Sequence, residues 1–246
     1  MNSVALITGA AGGVGQALAR RLAADGWQLV VVSRDAARLE AAFGNAHLQV
    51  VADCSTPAGV AQVFAEAAAA GLTPSALAHC VGNIRLGALH RTREQDFRDC
   101  LEANLISAFH TLAGFVGALA KAGQPGAAVL VSSAAARIGT PNHEAVAAAK
   151  AGVEGLVRGA AATYAGAGVR INAVAPGIME TPASARIIAN DSAREAAARQ
   201  YPLPGIGDPA ELAELMCWLL SPQAARVTGQ VWSMDGGFAS IRPLVK

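Results

Sequence analysis

The stretch NHEAVAAAK, residues 142–150, places two side chains capable of acid–base chemistry on one predicted helix. His143, Val146 and Lys150 are separated by three and then four residues, a spacing that puts all three on the same helix face. A histidine can exchange a proton near neutral pH. The pattern therefore raises the hypothesis of proton transfer by His143 beside Lys150. The slightly favoured alternative is that His143 only caps or lines the start of the helix and has no chemical role.

The segment TGAAGGVG, residues 8–15, has the pattern of a phosphate-binding loop between a strand and a helix. Gly9 permits a tight turn, Gly13 lets the backbone approach a pyrophosphate, and Gly15 lets the helix pack closely on the strand. Free N–H groups at the start of that helix would attract phosphates. The loop therefore predicts a dinucleotide cofactor, and the alternative is a merely structural turn.

Seven short apolar runs alternate with Ala-rich helical patterns, which predicts an α/β fold whose parallel sheet is covered by helices on both faces. No stretch rich in Pro, Ser or Gly divides them, so we expect one doubly wound Rossmann domain over residues 1–246. The irregular region at about 176–208 is expected to form a substrate lid, and an ordinary surface excursion is the alternative. The runs cover residues 4–8, 28–33, 48–52, 76–81, 127–133, 169–175 and 230–235.

The composition restricts the partners that the chain can have. It is 53% hydrophobic and 15% charged, and its net charge of +1 favours neither nucleic acid nor an anionic membrane. The apolar N-terminus has no preceding Lys or Arg, so a signal peptide is not expected, and no apolar run is long enough to predict a membrane span. The cysteines show no paired spacing, which indicates small buried residues in a reducing cytoplasm rather than metal ligands or disulfides: Cys54, Cys80, Cys100 and Cys217.

Further motifs, added to the glycine loop, resemble the short-chain dehydrogenase/reductase family over essentially the whole chain. The loop matches the pattern TGxxxGxG beginning at Thr8. The segments NAVAPG (172–177) and TGQVWSMDGG (228–237) are similar to the family's nicotinamide-facing segment and its last strand. The other matching residues are Asp53, Gly82, Asn104, Ser133, Lys150 and Thr181.

This resemblance implies a role for each matching residue. Asp53 would contact the adenine and Thr181 the nicotinamide carboxamide. Ser133 would hold the substrate oxygen, Lys150 would bind the nicotinamide ribose, and Asn104 would belong to a proton relay. The implied cofactor-binding set is Thr8, Gly9, Gly13, Gly15, Ser33, Arg34, Asp53, Gly82, Lys150, Pro176, Gly177 and Thr181, and the candidate catalytic set is Asn104, Ser133, His143 and Lys150.

The end of the second strand, LVVVSRD, indicates which nicotinamide cofactor is used. Ser33 occupies the place where NAD-preferring family members have an acidic residue, and Arg34 follows it. A guanidinium can form charge-assisted hydrogen bonds to a 2′-phosphate, which a carboxylate would repel. We therefore expect NADP(H) rather than NAD(H), with a solvated surface arginine as the alternative. Asp35 fits better as the N-cap of the next helix.

The tyrosine that donates a proton in this family is missing. Counted without gaps from the serines to Lys150, its position holds Val146. Tyr164 lies almost four helical turns beyond Lys150, too far to replace it. Tyr201 lies at the end of the expected lid, where a hinge or packing role is favoured. One branch, the enoyl-acyl carrier protein reductases, has its tyrosine at an earlier place, which His143 occupies here.

A second departure is HCVG, residues 79–82, where the family usually has Asn-Asn-Ala-Gly. The asparagine commonly braces the central sheet through hydrogen bonds. We expect His79 to do the same as a hydrogen-bonded core histidine, in preference to a catalytic role.

These features favour an NADP(H)-dependent oxidoreductase acting on a carbonyl or a conjugated C=C bond of a small or acyl-type substrate. Reduction of the double bond fits better, because the acid for ketone reduction is absent. The alternatives are a catalytically silent nucleotide-binding homologue, acting as a partner subunit or sensor, and a non-redox enzyme on the same scaffold. The family pairs through helices that correspond here to about 94–120 and 142–166, so a cytoplasmic homodimer or homotetramer is expected.

Overall fold

A computed structural model describes residues 3–242 and contains one parallel sheet of seven strands. The strand order is β3-β2-β1-β4-β5-β6-β7, so the direction of winding reverses between β1 and β4. This confirms the predicted doubly wound sheet. The strands are β1 (Val4–Thr8), β2 (Gln28–Ser33), β3 (Leu48–Val51), β4 (Ala76–His79), β5 (Gly126–Val131), β6 (Val169–Pro176) and β7 (Val231–Met234).

Helices cover both faces of the sheet, and each face has its own apolar core. Neighbouring residues of β1 point to opposite sides: Leu6 belongs to the cluster that contains Phe115, whereas Ile7 belongs to the cluster that contains Leu18. The central strands are apolar throughout because both of their faces are buried. The helices are α1 (Gly13–Ala24), α2 (Ala36–Phe43), α3 (Pro57–Ala69), α4 (Glu94–Leu101), α5 (Ser107–Ala122), α6 (Glu144–Tyr164), α7 (Asp191–Ala198) and α8 (Pro209–Leu220).

A single π-helical turn, Glu102–Ile106, joins α4 to α5 into one continuous helix. Such turns widen a helix locally and frequently occur at functional sites. The continuous helix Glu94–Ala122 is long and apolar enough to span a membrane by length and composition alone. Its α5 portion packs against the sheet through Leu112, Phe115 and Leu119.

The region predicted to be a lid leaves the sheet after β6 and returns to its own starting point. Met179 forms a parallel bridge with Gly207, so the two ends of the excursion are tied together. Between them lies α7, whose N-cap Asn190 accepts a hydrogen bond from the Ala193 N–H. The excursion therefore contains a capped helix, and its action as a lid remains a prediction.

His79 is almost completely buried, and it links β1 to the π-helical turn through hydrogen bonds. Its Nδ1 lies 2.8 Å from the hydroxyl of Thr8, and its Nε2 lies 3.2 Å from the hydroxyl of Ser107. Ser107 donates its own hydroxyl proton to the Ala103 carbonyl, so His79 Nε2 must donate to Ser107 and Nδ1 must accept from Thr8. Burial lowers the pKa of His79 to about 3, with a smaller contribution from the positive charge of Lys150. His79 is thus a neutral, hydrogen-bonded core histidine in this structure.

Replacing His79 with Asn should reduce the acid sensitivity of folding. In the wild type, the unfolded histidine takes up a proton below its ordinary pKa of about 6.5, whereas the folded one resists it down to about 3. The free energy of unfolding should therefore fall as the pH is lowered through this interval, and the His79→Asn variant should lack this contribution. Urea denaturation at pH 8 and pH 5 measures the difference between the two proteins.

The exposed His90 provides the matched control, because His90→Asn removes a histidine without changing the core. That variant should keep the wild-type dependence on pH. Equal pH dependence for the wild type and His79→Asn would show that His79 is not held neutral by the fold.

Candidate active site

The glycine loop lies at the carboxyl end of β1, beside the segment that follows β4. Gly9 has a φ of +68°, and a Cβ there would lie 2.7 Å from the Cys80 backbone, so the position has room only for glycine. A Cβ on Gly13 would lie 2.6 Å from the Thr181 side chain. Helix α1 begins at Gly13 without a side-chain N-cap or an acidic residue in its first turn, which leaves its first N–H groups suited to a phosphate.

Two of the predicted loop residues serve the packing of the loop itself. A Cβ on Gly15 would lie 2.5 Å from the Gly9 carbonyl oxygen, which agrees with the close helix–strand packing expected of this glycine. The Thr8 side chain is fully buried, and its hydroxyl is engaged by His79. The Thr8 hydroxyl is therefore engaged within the protein, and the binding of the cofactor by Thr8 stays a prediction.

The surface at the end of β2 carries two arginines, one of which contacts the glycine loop. Arg34 is 70% exposed, and its guanidinium lies 3.8 Å from the carboxylate of Asp53. Ser33 accepts a hydrogen bond from the Asp35 N–H, and Asp35 caps α2, as predicted. Arg38 lies in the first turn of α2 and donates to the Ala11 carbonyl in the glycine loop at 2.9 Å. The sequence analysis missed Arg38, because no local pattern indicates that its side chain reaches the glycine loop.

Asp53 is held as a carboxylate beside this surface. Burial alone would raise its pKa, but hydrogen bonds from Ser55 and the charge of Arg34 outweigh that effect and lower the pKa below its usual value. One oxygen of Asp53 accepts both the N–H and the hydroxyl of Ser55. The carboxylate is therefore fixed in orientation, as a group that recognises an adenine would need to be.

A cavity of about 280 Å³ opens at the carboxyl ends of β4, β5 and β6. This edge, near the reversal of strand order, is where open α/β sheets commonly bind ligands. The cavity brings together all four candidate catalytic residues and several residues predicted to face the nicotinamide. They are Gly82, Asn104, Ser133, His143, Lys150, Pro176, Gly177 and Thr181. Val146 also lines it and is buried.

Asn104 lies in the π-helical turn, which directs its side chain towards the loop after β4. Its amide donates to the Asn83 side chain at 3.0 Å and to the Cys100 carbonyl at 2.9 Å. Its oxygen accepts from the Asn83 N–H and would lie 2.6 Å from a Cβ on Gly82. Any side chain at Gly82 would therefore displace the side chain of Asn104. The two residues are in direct contact in the cavity wall.

Lys150 is a buried ammonium group in the cavity wall. Its Nζ donates to the Val131 carbonyl at 2.7 Å, and no carboxylate among residues 3–242 forms a salt bridge with it. Burial lowers the pKa of Lys150 to about 8, although the neighbouring Cys80 and Cys100 oppose that shift. Burial in turn raises the pKa of the Cys80 thiol to about 12, so that thiol stays protonated at neutral pH. The side chain thus carries an unpaired positive charge near neutrality.

Ser133 lies just after β5, on a turn whose two ends are held by hydrogen bonds to α6. Its hydroxyl oxygen accepts a hydrogen bond from the Ala135 N–H, so its own proton can be donated to a ligand. The buried carboxylate of Glu154 on α6 accepts from Ser132 at 3.0 Å and from Arg137 at 3.1 Å. Since Ser132 and Arg137 flank the turn, Glu154 holds it against α6.

His143 lies immediately before α6 and not within it. The expectation that His143, Val146 and Lys150 all belong to one helix is therefore corrected for His143. Its neighbour Asn142 has a φ of +62°, the one non-glycine residue among the described residues with positive φ, and such strain commonly occurs at functional positions. The His143 side chain is 2.8 Å from the Pro141 carbonyl through Nδ1. A carbonyl only accepts, so Nδ1 carries a proton, and Nε2 is the nitrogen available for proton exchange.

Tyr201 also lines the cavity, which the sequence analysis did not favour. Its hydroxyl accepts a hydrogen bond from the Ile178 N–H at 2.7 Å, and its ring packs on Phe238 with 5.2 Å between the centroids. Burial raises the pKa of Tyr201 above its ordinary value, which makes it a weaker proton donor than a free tyrosine. Tyr164 lies at the far end of α6 and packs against the core, as expected from its distance.

Comparisons with known proteins agree with this geometry. The family model described as Enoyl-(Acyl carrier protein) reductase matches residues 9–239. The chain is 36% identical to a cis-4-hydroxycyclohexanecarboxylate dehydrogenase from Sinomonas cyclohexanicum over 97% of both proteins. It is 33% identical to an inactive 2-(S)-hydroxypropyl-CoM dehydrogenase 2 from Xanthobacter autotrophicus, over 91% of this chain and all of the relative.

A solved structure supports the same assignment. The structure of ElxO with NADP bound has a TM-score of 0.90 and 25% identity, and the match covers 98% of this chain and all of that one. The strand order, the glycine loop and the cavity containing Ser133 and Lys150 fit these similarities. The chain therefore belongs to the short-chain dehydrogenase/reductase family.

Proposed function

We propose that this protein is an NADP(H)-dependent oxidoreductase that transfers hydride between the cofactor and a carbonyl or a conjugated C=C bond of its substrate. The observation that carries the proposal is the meeting of Asn104, Ser133, His143 and Lys150 in one cavity at the carboxyl edge of the sheet. That cavity also includes Pro176 and Gly177 of the segment 172–177, whose counterpart faces the nicotinamide in the family. When bound, the nicotinamide supplies or accepts the hydride.

The side chains of the cavity each have a separate role in the rest of the reaction. Ser133 donates its hydroxyl proton as a hydrogen bond to the substrate oxygen. Lys150 places a positive charge near the oxygen on which negative charge develops, and binds the nicotinamide ribose. His143 exchanges a proton through Nε2, because Nδ1 is engaged with the Pro141 carbonyl. Val146 provides an apolar wall where the family's tyrosine would donate.

The preference for NADP(H) is supported by the charges around the end of β2. Ser33 introduces no carboxylate there, Arg34 directly follows it, and the guanidinium of Arg38 contacts the glycine loop. A 2′-phosphate is attracted by such groups, which form charge-assisted hydrogen bonds to it. The NADP in the ElxO structure is consistent with this choice.

A second candidate function is a catalytically silent homologue that binds the nucleotide as a partner subunit or sensor. Val146, which is buried and has no exchangeable proton, favours it. The similarity to a relative described as inactive also favours it. Both candidates are compatible with a homodimer or homotetramer, and the four free cysteines fit the reducing cytoplasm that we propose.

Removing the guanidinium of Arg34 tests the cofactor preference. The Arg34→Ala variant should bind NADPH about 10- to 100-fold more weakly than the wild type, because a charge-assisted hydrogen bond contributes roughly 1.5–3 kcal/mol. Its affinity for NADH should change little. Quenching of protein fluorescence measures both dissociation constants. Arg226→Ala, which removes an exposed arginine elsewhere, is the control, and equal affinity of the wild type for both cofactors would contradict the proposal.

The charge of Lys150 should make cofactor binding depend on pH. With a pKa of about 8, Lys150 is positive at pH 7 and loses its charge as the pH rises through about 8. The affinity for NADPH should therefore decrease between pH 7 and pH 9.5, and the Lys150→Met variant should bind more weakly at pH 7 with little dependence on pH. Isothermal titration at several pH values measures this. An unchanged affinity across this interval in the wild type would show that Lys150 does not contact the cofactor.

Variants of His143 and Val146 distinguish the two candidate functions. The oxidation of NADPH is followed with matched saturated ketones and α,β-unsaturated ketones. The His143→Ala variant should lose about 100- to 10,000-fold of the wild-type rate, the usual contribution of a general acid or base. His90→Ala is the matched control at an exposed histidine.

A second pair of variants in the same assay tests the effect of a tyrosine hydroxyl at position 146. Val146→Tyr is compared with Val146→Phe, which adds the ring without the hydroxyl. If the wild type shows no turnover and only Val146→Tyr reduces ketones, the silent homologue is the correct assignment. If the wild type turns over and His143→Ala retains the full rate, the role of His143 is wrong.

A further inference from the structure

The amine of Lys150 stands alone in the cavity that contains Ser133. Among residues 3–242, the cavity wall contains no Asp, Glu or Arg side chain and no lysine besides Lys150. Its Nζ donates to the Val131 carbonyl at 2.7 Å, and no carboxylate of the described residues forms a salt bridge with it. Burial lowers the pKa of Lys150 to about 8. Near neutral pH, a larger share of this side chain is therefore the neutral, nucleophilic amine than in a free lysine.

The surroundings of this amine are small where larger side chains would cover it. Val146 lies one helical turn before Lys150 on α6, and both side chains line the cavity. A tyrosine at position 146 would place a ring and a hydroxyl beside the amine, whereas valine places neither. From the loop after β4, a Cβ on Gly82 would lie only 3.2 Å from Nζ. The two small residues therefore leave the amine in contact with the cavity.

Two further groups of the cavity can assist the addition of this amine to a carbonyl. The hydroxyl proton of Ser133 is available to a carbonyl oxygen, because the Ser133 oxygen accepts from the Ala135 N–H. Nε2 of His143 can transfer the proton that is needed to release water, because the Pro141 carbonyl engages only Nδ1. The cavity thus combines a nucleophilic amine, a donor to the carbonyl oxygen and a group that transfers protons.

We propose that Lys150 forms an imine with a β-keto acid and thereby promotes its decarboxylation, an activity that needs no nicotinamide cofactor. The neutral amine adds to the keto carbon, and the carbinolamine takes up one proton and releases water as the protonated imine forms. The C–C bond to the carboxylate then breaks. CO₂ leaves, and the bonding electron pair neutralises the iminium nitrogen to give an enamine.

Two further steps complete the reaction and restore Lys150. The enamine carbon takes up a proton, which gives the protonated imine of the product ketone. Addition of water to this imine releases the ketone and, after loss of a proton, the free amine. In total, one β-keto carboxylate and one proton give one ketone and one molecule of CO₂.

The charge and polarity of the cavity favour this substrate class. The ammonium form of Lys150 attracts a carboxylate, and the described part of the wall has no Asp or Glu to repel it. The wall also includes large apolar side chains such as Ile84, Ile187 and Phe238. Apolar surroundings stabilise charges poorly. Loss of CO₂ removes both the carboxylate charge and the iminium charge, so these surroundings favour the step.

The experiment treats the purified protein with acetoacetate and cyanoborohydride, a reagent that reduces an iminium group to a stable amine. The imine of acetone, which follows the loss of CO₂, would leave an isopropyl group on the lysine nitrogen. Peptide mass spectrometry should find this group on Lys150 and roughly tenfold less of it on Lys121 and Lys246, the other lysines of the chain. Without the reductant, the protein should release CO₂ from acetoacetate about tenfold or more above the spontaneous rate.

Lys150→Arg and Lys121→Arg form a matched pair of variants. Lys150→Arg keeps a positive charge in the cavity without a nucleophilic amine, so it should lose both the isopropyl label and the accelerated release of CO₂. Lys121→Arg changes an exposed lysine of α5 and should behave as the wild type does. Because the labelled residue is identified in the wild type itself, the result does not depend on the folding of a variant. An even distribution of the label over the lysines, or release of CO₂ at the spontaneous rate, would overturn the inference.

NADPH separates this inference from the proposed oxidoreductase function. In that function Lys150 binds the nicotinamide ribose, so saturating NADPH should prevent the labelling of Lys150. A label that persists in full with NADPH supports the imine and contradicts the contact between Lys150 and the cofactor. No label on Lys150, with or without NADPH, overturns the imine and leaves the proposed hydride transfer unaffected.

Discussion

A series of hydrogen bonds through His79 joins the glycine loop to the π-helical turn that carries Asn104. Thr8, at the start of the loop, donates to His79, and His79 donates to Ser107, which donates to the Ala103 carbonyl. Every donor in this series of hydrogen bonds has one acceptor. The neutral histidine with its proton on Nε2 is the form that satisfies all of them. Because burial lowers the pKa of His79 to about 3, these hydrogen bonds keep one direction near neutral pH.

The parts of the candidate site are held together without a contribution from Val146. The glycine loop, Asn104 and the turn containing Ser133 are each held by contacts that do not involve Val146. Val146 itself packs with Ala145 and Cys100 in a small apolar cluster. Under the proposed function, Val146 cannot supply the proton that the family's tyrosine donates. The proton would then come from another group in the cavity, and Nε2 of His143 is available because the Pro141 carbonyl engages only Nδ1.

The fold was predictable from the sequence because its signals are local. Apolar runs such as VALIT and QLVVVS became strands with the expected bounds, and the glycine loop follows the first of them. The site was less predictable because its geometry depends on contacts between distant segments. The π-helical turn beneath Asn104, the positive φ of Asn142 and the approach of Tyr201 to Ile178 leave no local periodic signal. The hydrogen bond between Thr8 and His79 joins residues 71 positions apart, so it leaves no local signal either.

The unpaired charge of Lys150 bears on whether the site is active. An ammonium group buried without a carboxylate partner destabilises a fold, and burial has already lowered its pKa to about 8. A protein that only needed a packed core at this position could carry an apolar side chain at no such loss. The cavity instead surrounds Lys150 with thiols that stay protonated and with the Val131 carbonyl, so its charge is left available to a ligand. Perturbed groups of this kind concentrate where charge develops during a reaction or where an electron-rich ligand binds. Together with the free proton of Ser133, this arrangement favours an active oxidoreductase over a silent homologue.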